Sequence, residues 1–406
     1  MSNIHLSLPR QYTCTVIFSI LAVTSFAPIH AQSQFSTAKP IIKEYKINSR
    51  VLNEERKITL YKPPVLPAYV NAISPVIYTL DGEYHADFIV TLINYVSERF
   101  VTMPPIMVVG IENIPSGRAG RYRDMTPLIA KDSSVYKTSG GAEKFLQFIR
   151  EEVFPLVEKD FNKTPYRVLV GHSLAGFLTI HCFLQHPEMF NAYLASSPAM
   201  HMDNSTYLKI AEEKINTANE RNNRLFFNVG NENVPYLRNA MRIDSLLKEK
   251  KLKGLSFLFQ YYPKETHGTV YMKSFYDGLH YIFQMDPPDA GMQTKDLNWE
   301  LFENHYKNLS EIFGYSMKPE ESAINNYGYK FLLAEKNIDK ALEFFKKNVQ
   351  NYPQSANVYD SYAEALLAKG DKKNAMLNYE KAFQLDSTNT TARDIANKLK
   401  YEQQIK

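Results

Sequence analysis

Val168-Leu169-Val170-Gly171-His172-Ser173-Leu174-Ala175-Gly176 reads as a strand that turns sharply into a helix. The run from Arg167 to Val170 suits a buried strand, and Leu174 to Gln185 suits a helix. Gly171 and Ala175 flank Ser173 two positions away on either side. A serine on such a turn adopts a strained backbone and needs small neighbours at those two sites. The strict pattern has glycine at the second site; Ala175 is the smallest substitute, and Gly176 follows directly. The Leu174 N–H falls at a helix N-terminus, where it can face an oxyanion. The bland alternative is a plain strand-to-helix turn in which Ser173 caps the helix.

The same rhythm extends outward from this stretch. Ile41 to Ile47 and Lys57 to Tyr61 roughly alternate polar with apolar residues, and Asn53-Glu54-Glu55 can turn them into an antiparallel pair. Strands follow at 75–80, 106–111, 167–170, 191–196, 224–229 and 255–262, with helices at 86–99, 142–161, 174–185, 207–219, 234–251 and 270–283. Residues 112–141 show no clear period and read as a long loop. Apolar strands alternating with amphipathic helices predict an α/β fold: a mostly parallel sheet with helices on both faces. Such sheets bind ligands at the carboxyl ends of their strands, and the candidate residues below all lie just past a strand end.

A serine hydroxyl needs a base and a site for the developing oxyanion before it attacks a carbonyl. In the order nucleophile, acid, histidine, the base comes late. His267, in Glu265-Thr266-His267-Gly268, follows a strand and precedes the last core helix, and Gly268 suits a tight loop. The competing histidines sit worse. His172 adjoins the serine but points away from it, and His181 and His186 lie on or after the elbow helix. Glu232 is the only carboxylate in Gly230-Asn231-Glu232-Asn233 after the strand 224–229, so it is the candidate acid that orients the imidazole. Its alternative role is a helix N-terminal charge, and Glu265 is a weaker rival. A second oxyanion amide belongs after the strand 75–80, at Asp81-Gly82-Glu83, where Gly82 permits close backbone approach. Asp81 reads as a structural turn carboxylate. Arg121, Arg123 and Asp124 fall in the long loop. The two arginines are candidate contacts for an anionic or polyphenolic substrate, with an Arg–Asp staple as the alternative.

Leu80-Asp81-Gly82, Arg121-Tyr122-Arg123-Asp124-Met125-Thr126-Pro127, the elbow at 171–176, Ser196-Ser197-Pro198 and His267-Gly268 together resemble the putative esterase family. That family is similar to esterase D, the enterochelin-type siderophore esterases and the antigen 85 mycolyltransferases. The resemblance covers about residues 40–285. It implies the α/β-hydrolase fold, serine ester chemistry without a cofactor, and an oxyanion hole from the Glu83 and Leu174 amides. It does not imply a substrate. Some siderophore esterases of the family work with a Ser–His pair alone, which leaves the role of Glu232 open.

Met285-Asp286-Pro287-Pro288-Asp289-Ala290-Gly291 breaks the rhythm, so residues 286–296 read as a linker to an all-α region at 297–402. Asn326 through Ala341, Phe345 and Pro353 resembles Ser361 through Ala375, Tyr379 and Ala382 at a spacing of about 34 residues, the tetratricopeptide period. Two repeats are fewer than the roughly three that stand alone. Helices at 297–314 must therefore pack with them, or the array must dock on the first domain.

The remaining features bound the answer. The chain has 406 residues, 44% hydrophobic and 22% charged, with a net charge of +4, which gives no reason to expect nucleic acid or an anionic membrane as partner. Arg10, the apolar run Val16 to Phe26, Pro28 and the small residue Ala31 follow the order of a secretory signal, so residues 1–31 read as a signal and the protein as exported to a periplasm or beyond, with no membrane span after cleavage. Of the two cysteines, Cys14 lies in that signal and Cys182 on the apolar elbow helix, as a buried small hydrophobe. No metal-binding spacing and no phosphate-binding loop occurs in the sequence. Two functions follow: an exported ester hydrolase acting on a small-molecule ester, and, as the alternative, a non-enzymatic scaffold whose helical repeats bind a protein partner.

Overall fold

Short aliphatic runs bounded by turn residues form the eight strands of one sheet. They are β1 (Ile41–Ser49), β2 (Glu54–Lys62), β3 (Val76–Leu80), β4 (Met107–Ile111), β5 (Arg167–His172), β6 (Ala192–Ser196), β7 (Arg224–Gly230) and β8 (Ser256–Tyr262). The computed structural model describes residues 40–63, 74–100, 106–114, 117–128, 137–161, 166–201, 206–284 and 286–405. Residues 1–31, expected to be a signal and including Cys14, lie outside the described residues. The strand order is β1-β2-β4-β3-β5-β6-β7-β8. β1 and β2 are antiparallel to their neighbours, and the six strands β3 through β8 run parallel. The central strands β3, β4 and β6 are buried along their whole length, which is why they read as continuous apolar runs without alternation.

Among the described residues, eight helices cover this sheet: α1 (Gly82–Phe100), α2 (Arg118–Met125), α3 (Ala142–Phe148), α4 (Phe154–Phe161), α5 (Leu174–Gln185), α6 (Tyr207–Thr217), α7 (Val234–Lys250) and α8 (Val270–Phe283). α3 and α4 form one helical run joined by a wide π turn at Ile149–Val153, the single helix expected there. Alternate residues of a strand face opposite sides. Tyr78 and Leu80 of β3 enter the core under α3 to α7, while Ile77 enters the core under α1 and α8. The result is the α/β-hydrolase arrangement. Cys182 on α5 is fully buried, and burial pushes its thiol pKa up, so it behaves as a small hydrophobe.

The long loop expected at 112–141 needs correcting: it contains α2. That helix buries Gly120, Asp124 and Met125 rather than an apolar stripe, so its sequence shows no helical period. Ion pairs fix it in place. Asp124 accepts from buried Arg56 of β2 at 2.6 Å and from Arg123 at 2.7 Å, and Arg123 also donates to Glu54. The Arg56 guanidinium lies over the Phe145 ring of α3, 5.0 Å from its centroid.

The C-terminal region is all helical: α9 (Trp299–Phe313), α10 (Glu321–Tyr329), α11 (Ile338–Asn351), α12 (Ala356–Lys369), α13 (Lys372–Leu385) and α14 (Thr390–Gln404). α9 resolves the stability problem posed by two repeats, because it packs both ways. At its C-terminal end Phe313 lies 4.9 Å from the Tyr166 ring and 5.8 Å from the Phe283 ring, inside the hydrolase core. At its N-terminal end Trp299 and Phe302 pack on Phe344 of α11. The segment expected as a linker is a hydrogen-bonded turn: Asp289 accepts from Thr294 and from Tyr327 of α10, both at 2.6 Å. All these contacts lie within one compact unit, Thr37–Lys406. Among the described residues no helix is long and apolar enough to cross a membrane.

Phe313 is the side chain on which this docking turns. Phe313→Ala removes a buried ring between two others and should cost about 3–5 kcal/mol. Urea unfolding of the full chain measures it, and a separate early transition for the helical region is expected in the variant.

Candidate active site

The candidate residues lie just past the carboxyl ends of β3, β5, β7 and β8, on the side of the sheet where the strand order reverses beside β3 and β5. Three strands of the sheet, β3, β5 and β6, lead into non-glycine residues with left-handed φ: Asp81 at 53°, Ser173 at 63° and Ser197 at 42°. Each such residue costs about 1–3 kcal/mol and persists only where its surroundings enforce it.

The enforcement at Ser173 is visible. A Cβ on Gly171 would lie 2.3 Å from the Ala175 carbonyl oxygen, so only glycine lets β5 turn this tightly into α5. The Ser173 N–H donates to the Ser196 carbonyl at 3.0 Å, and the Ser173 carbonyl accepts from Phe177 and Ala199. Ser173 occupies the N-cap position of α5, yet its side chain makes no capping hydrogen bond. The capping alternative is therefore not how this turn is built.

Glu232 and His267 come together. His267 Nδ1 lies 2.5 Å from Glu232 Oε2. The other carboxylate oxygen accepts from the Ser197 hydroxyl and, at 3.2 Å, from the Gly230 N–H. Burial alone would raise the Glu232 pKa, but the hydrogen bonds from His267 and Ser197 outweigh it and hold the carboxyl below its ordinary value. Glu232 thus spends its carboxylate on the histidine, and Asn233, not Glu232, occupies the N-cap position of α7. Glu265 joins the site through its backbone: its carbonyl accepts from the Asn231 N–H at 2.6 Å. Gly268 is not what makes the His267 loop tight. Its φ lies outside the left-handed region, and a Cβ there would meet open space.

The two oxyanion candidates follow the adjacent parallel strands β3 and β5. Glu83 and Leu174 lie in the first turns of α1 and α5, whose amides lack intrahelical partners. Gly82 is needed for close approach, since a Cβ would lie 2.6 Å from the Gly110 backbone of β4. Asp81 is the structural carboxylate expected. Arg121 binds it with two hydrogen bonds, of 2.7 and 2.8 Å, and Asn113 donates to it at 2.7 Å. Both candidate substrate-binding arginines therefore have carboxylate partners within the chain, Arg121 on Asp81 and Arg123 on Glu54 and Asp124. This is the staple, and it joins the turn after β3 to α2.

Nothing in the sequence alone singles out Ser197 or Asn113. Ser197 is visible there only within Ser196-Ser197-Pro198, and its role emerges once β6 and β7 lie side by side. Around the site stands a series of rings. Tyr236 lies 5.2 Å from His267 and 4.1 Å from His201. Tyr84 and Val234, just past Glu83 and Asn233, are 76% and 73% exposed, so an apolar lip borders the strand ends. Among the described residues no group of three or more His, Cys, Asp and Glu is placed to hold a metal ion.

The family described as "Putative esterase" matches residues 49–284. The ferri-bacillibactin esterase BesA of Bacillus subtilis is 28% identical over 188 residues, covering 43% of this chain and 64% of that protein. The chain thus spans a little under two thirds of that curated relative. The structure of an IroE-like serine hydrolase from Shewanella oneidensis is 27% identical with a TM-score of 0.62, over 75% of this chain and 98% of the other. An uncharacterised protein from Capnocytophaga ochracea shares the fold at 18% identity and TM-score 0.61, over 87% of this chain, a span that reaches beyond the hydrolase region.

Ser197→Ala tests the carboxylate cradle. Losing one stabilising donor should move the Glu232 pKa upward, read by carboxyl 13C NMR. The stability that comes from its lowered pKa is present above the ordinary carboxylate value and is lost as pH falls through the folded-state value. Acid unfolding of the variant should therefore begin at higher pH, with about 1–2 kcal/mol lost at neutral pH.

Proposed function

The chain belongs to the putative esterase family, and from that premise we propose that it is a serine-type ester hydrolase with Ser173 as nucleophile, His267 as base and Glu232 as orienting acid. In this reaction Ser173 Oγ attacks the acyl carbonyl while His267 Nε2 takes its proton. The carbonyl oxygen becomes an oxyanion held by the Leu174 and Glu83 amides. His267 then gives the proton to the leaving alcohol, and an ester to Ser173 remains. Water, deprotonated by His267, attacks that ester, and the acid departs as Ser173 recovers its proton. Glu232, bonded to Nδ1, keeps that nitrogen protonated and stabilises the imidazolium.

The observation that carries this reading is a strained, uncapped serine just past β5 together with a His267–Glu232 pair built just past β7 and β8 of the same sheet. The substrate reading is a siderophore-type ester, supported by the name of the Bacillus relative and by the exposed apolar lip. Tyr84, Tyr236 and Val234 offer surface to flat or apolar groups of such a ligand. We further read the helical hairpins α10–α11 and α12–α13 as tetratricopeptide-like, because the matched positions Ala341 and Ala375, and Phe345 and Tyr379, are alike buried.

Ser173→Ala should lower turnover of short p-nitrophenyl esters by at least about 10³-fold and abolish labelling by a fluorophosphonate probe. A wild-type chain that neither turns over these esters nor takes the label overturns the reading. A panel of ferric siderophore lactones, feruloylated sugars and acetylated sugars decides the class; preference for a sugar ester would overturn the siderophore assignment alone.

A further inference from the structure

The residue before the serine is tied to two other loops at once. The His172 carbonyl accepts from Arg121 at 3.3 Å, and Arg121 is the side chain that grips Asp81 on the turn after β3. The His172 side chain turns the other way, where its Nε2 lies 2.8 Å from the backbone carbonyl of His267. A carbonyl can only accept, so Nε2 carries the proton. The ring is packed on three sides by rings: His267 at 4.7 Å, Tyr271 at 5.5 Å and His85 at 6.1 Å, with His85 itself stacked on Tyr271 at 3.8 Å.

From this geometry we infer that His172 is a positioning residue: its Nε2–H holds the His267 carbonyl and so sets where the base stands relative to Ser173. The inference rests on the hydrolase reading above. Gly268 does not constrain this loop; besides the His267–Glu232 bond it is held by the Asn231–Glu265 and Glu265–Tyr262 backbone bonds and by hydrogen bonds of its own, from Val270 to Thr266 and between Thr266 and Thr269. The His172 side chain runs directly from the nucleophile turn to this loop. Burial, and then the nearby charge of His267, lower the His172 pKa to about 4, against the opposing pull of the hydrogen bond to the His267 carbonyl and of Asp81. His85 beside it is likewise lowered to about 4, mainly by burial. His172 is therefore neutral at working pH, with its single proton on the nitrogen that holds the loop. A neutral ring also leaves room for the positive charge that His267 gains during the reaction.

Two full-length variants and one spectrum test this. His172→Phe keeps a ring but no donor. Its kcat should fall about 10–100-fold with KM within about twofold, the signature of a displaced base. His172→Gln can donate from a similar position and should recover most of that loss. An active wild type with His172→Phe unchanged in kcat, or with the Gln and Phe variants equally impaired, overturns the inference. The 15N NMR of the wild-type chain reads the tie without turnover: His172 should remain a neutral Nε2–H imidazole from pH 8 to pH 5. A proton on Nδ1, or titration near the ordinary histidine value, overturns it as well. A wild type inert to fluorophosphonate sinks the hydrolase reading itself, a separate outcome.

Discussion

The contact between Gly171 and the Ala175 carbonyl governs this molecule. With no Cβ at that point, β5 reverses into α5 within one residue, and that residue, Ser173, is driven to a φ of 63°. Any side chain at 171 would force the strand and helix apart and return the serine to ordinary backbone. The strain is local, but its support is not. It is held by backbone hydrogen bonds, from the Ser173 N–H to the Ser196 carbonyl and from the Ala199 N–H to the Ser173 carbonyl, so β6 and the loop after it hold the turn in place.

That support spreads through the site by charge and hydrogen bonding rather than apolar packing. Asp81, buried and with left-handed φ, is neutralised by Arg121 from α2. Arg121 reaches on to the carbonyl before the serine, and the side chain there reaches the loop that carries His267. Buried polar networks of this kind are costly when incomplete and rigid when every member is satisfied. The Asp124 network with Arg56, Arg123 and Glu54 lies farther from the serine and fixes α2 against β2. The helical region joins by different means, through the rings of α9 wedged into the hydrolase core.

Much of this is legible in the sequence because it is periodic or local. The buried strands, the helices 174–185 and 270–283, the elbow and the late histidine all carry their signal within a few residues. α2 is hidden for a physical reason: ion pairs hold it, and ion pairs leave no period. For the same reason Arg121 and Arg123 read as candidate substrate contacts in the sequence, when their guanidiniums are already engaged by carboxylates. Ser197 is hidden because its only distinguishing feature is what lies on the next strand.

The sequence by itself determined that a parallel sheet with helices on both faces would form, and that a serine would stand at the end of one strand. Alternation, run length and residue size decide those matters over short distances. Only the tertiary structure decided which oxygen of Glu232 meets which nitrogen of His267, that Ser197 holds the other oxygen, and that His172 faces the His267 loop. Those contacts join residues from β5, β6, β7 and the loop after β8. They come into being only when the sheet order sets the strand ends side by side.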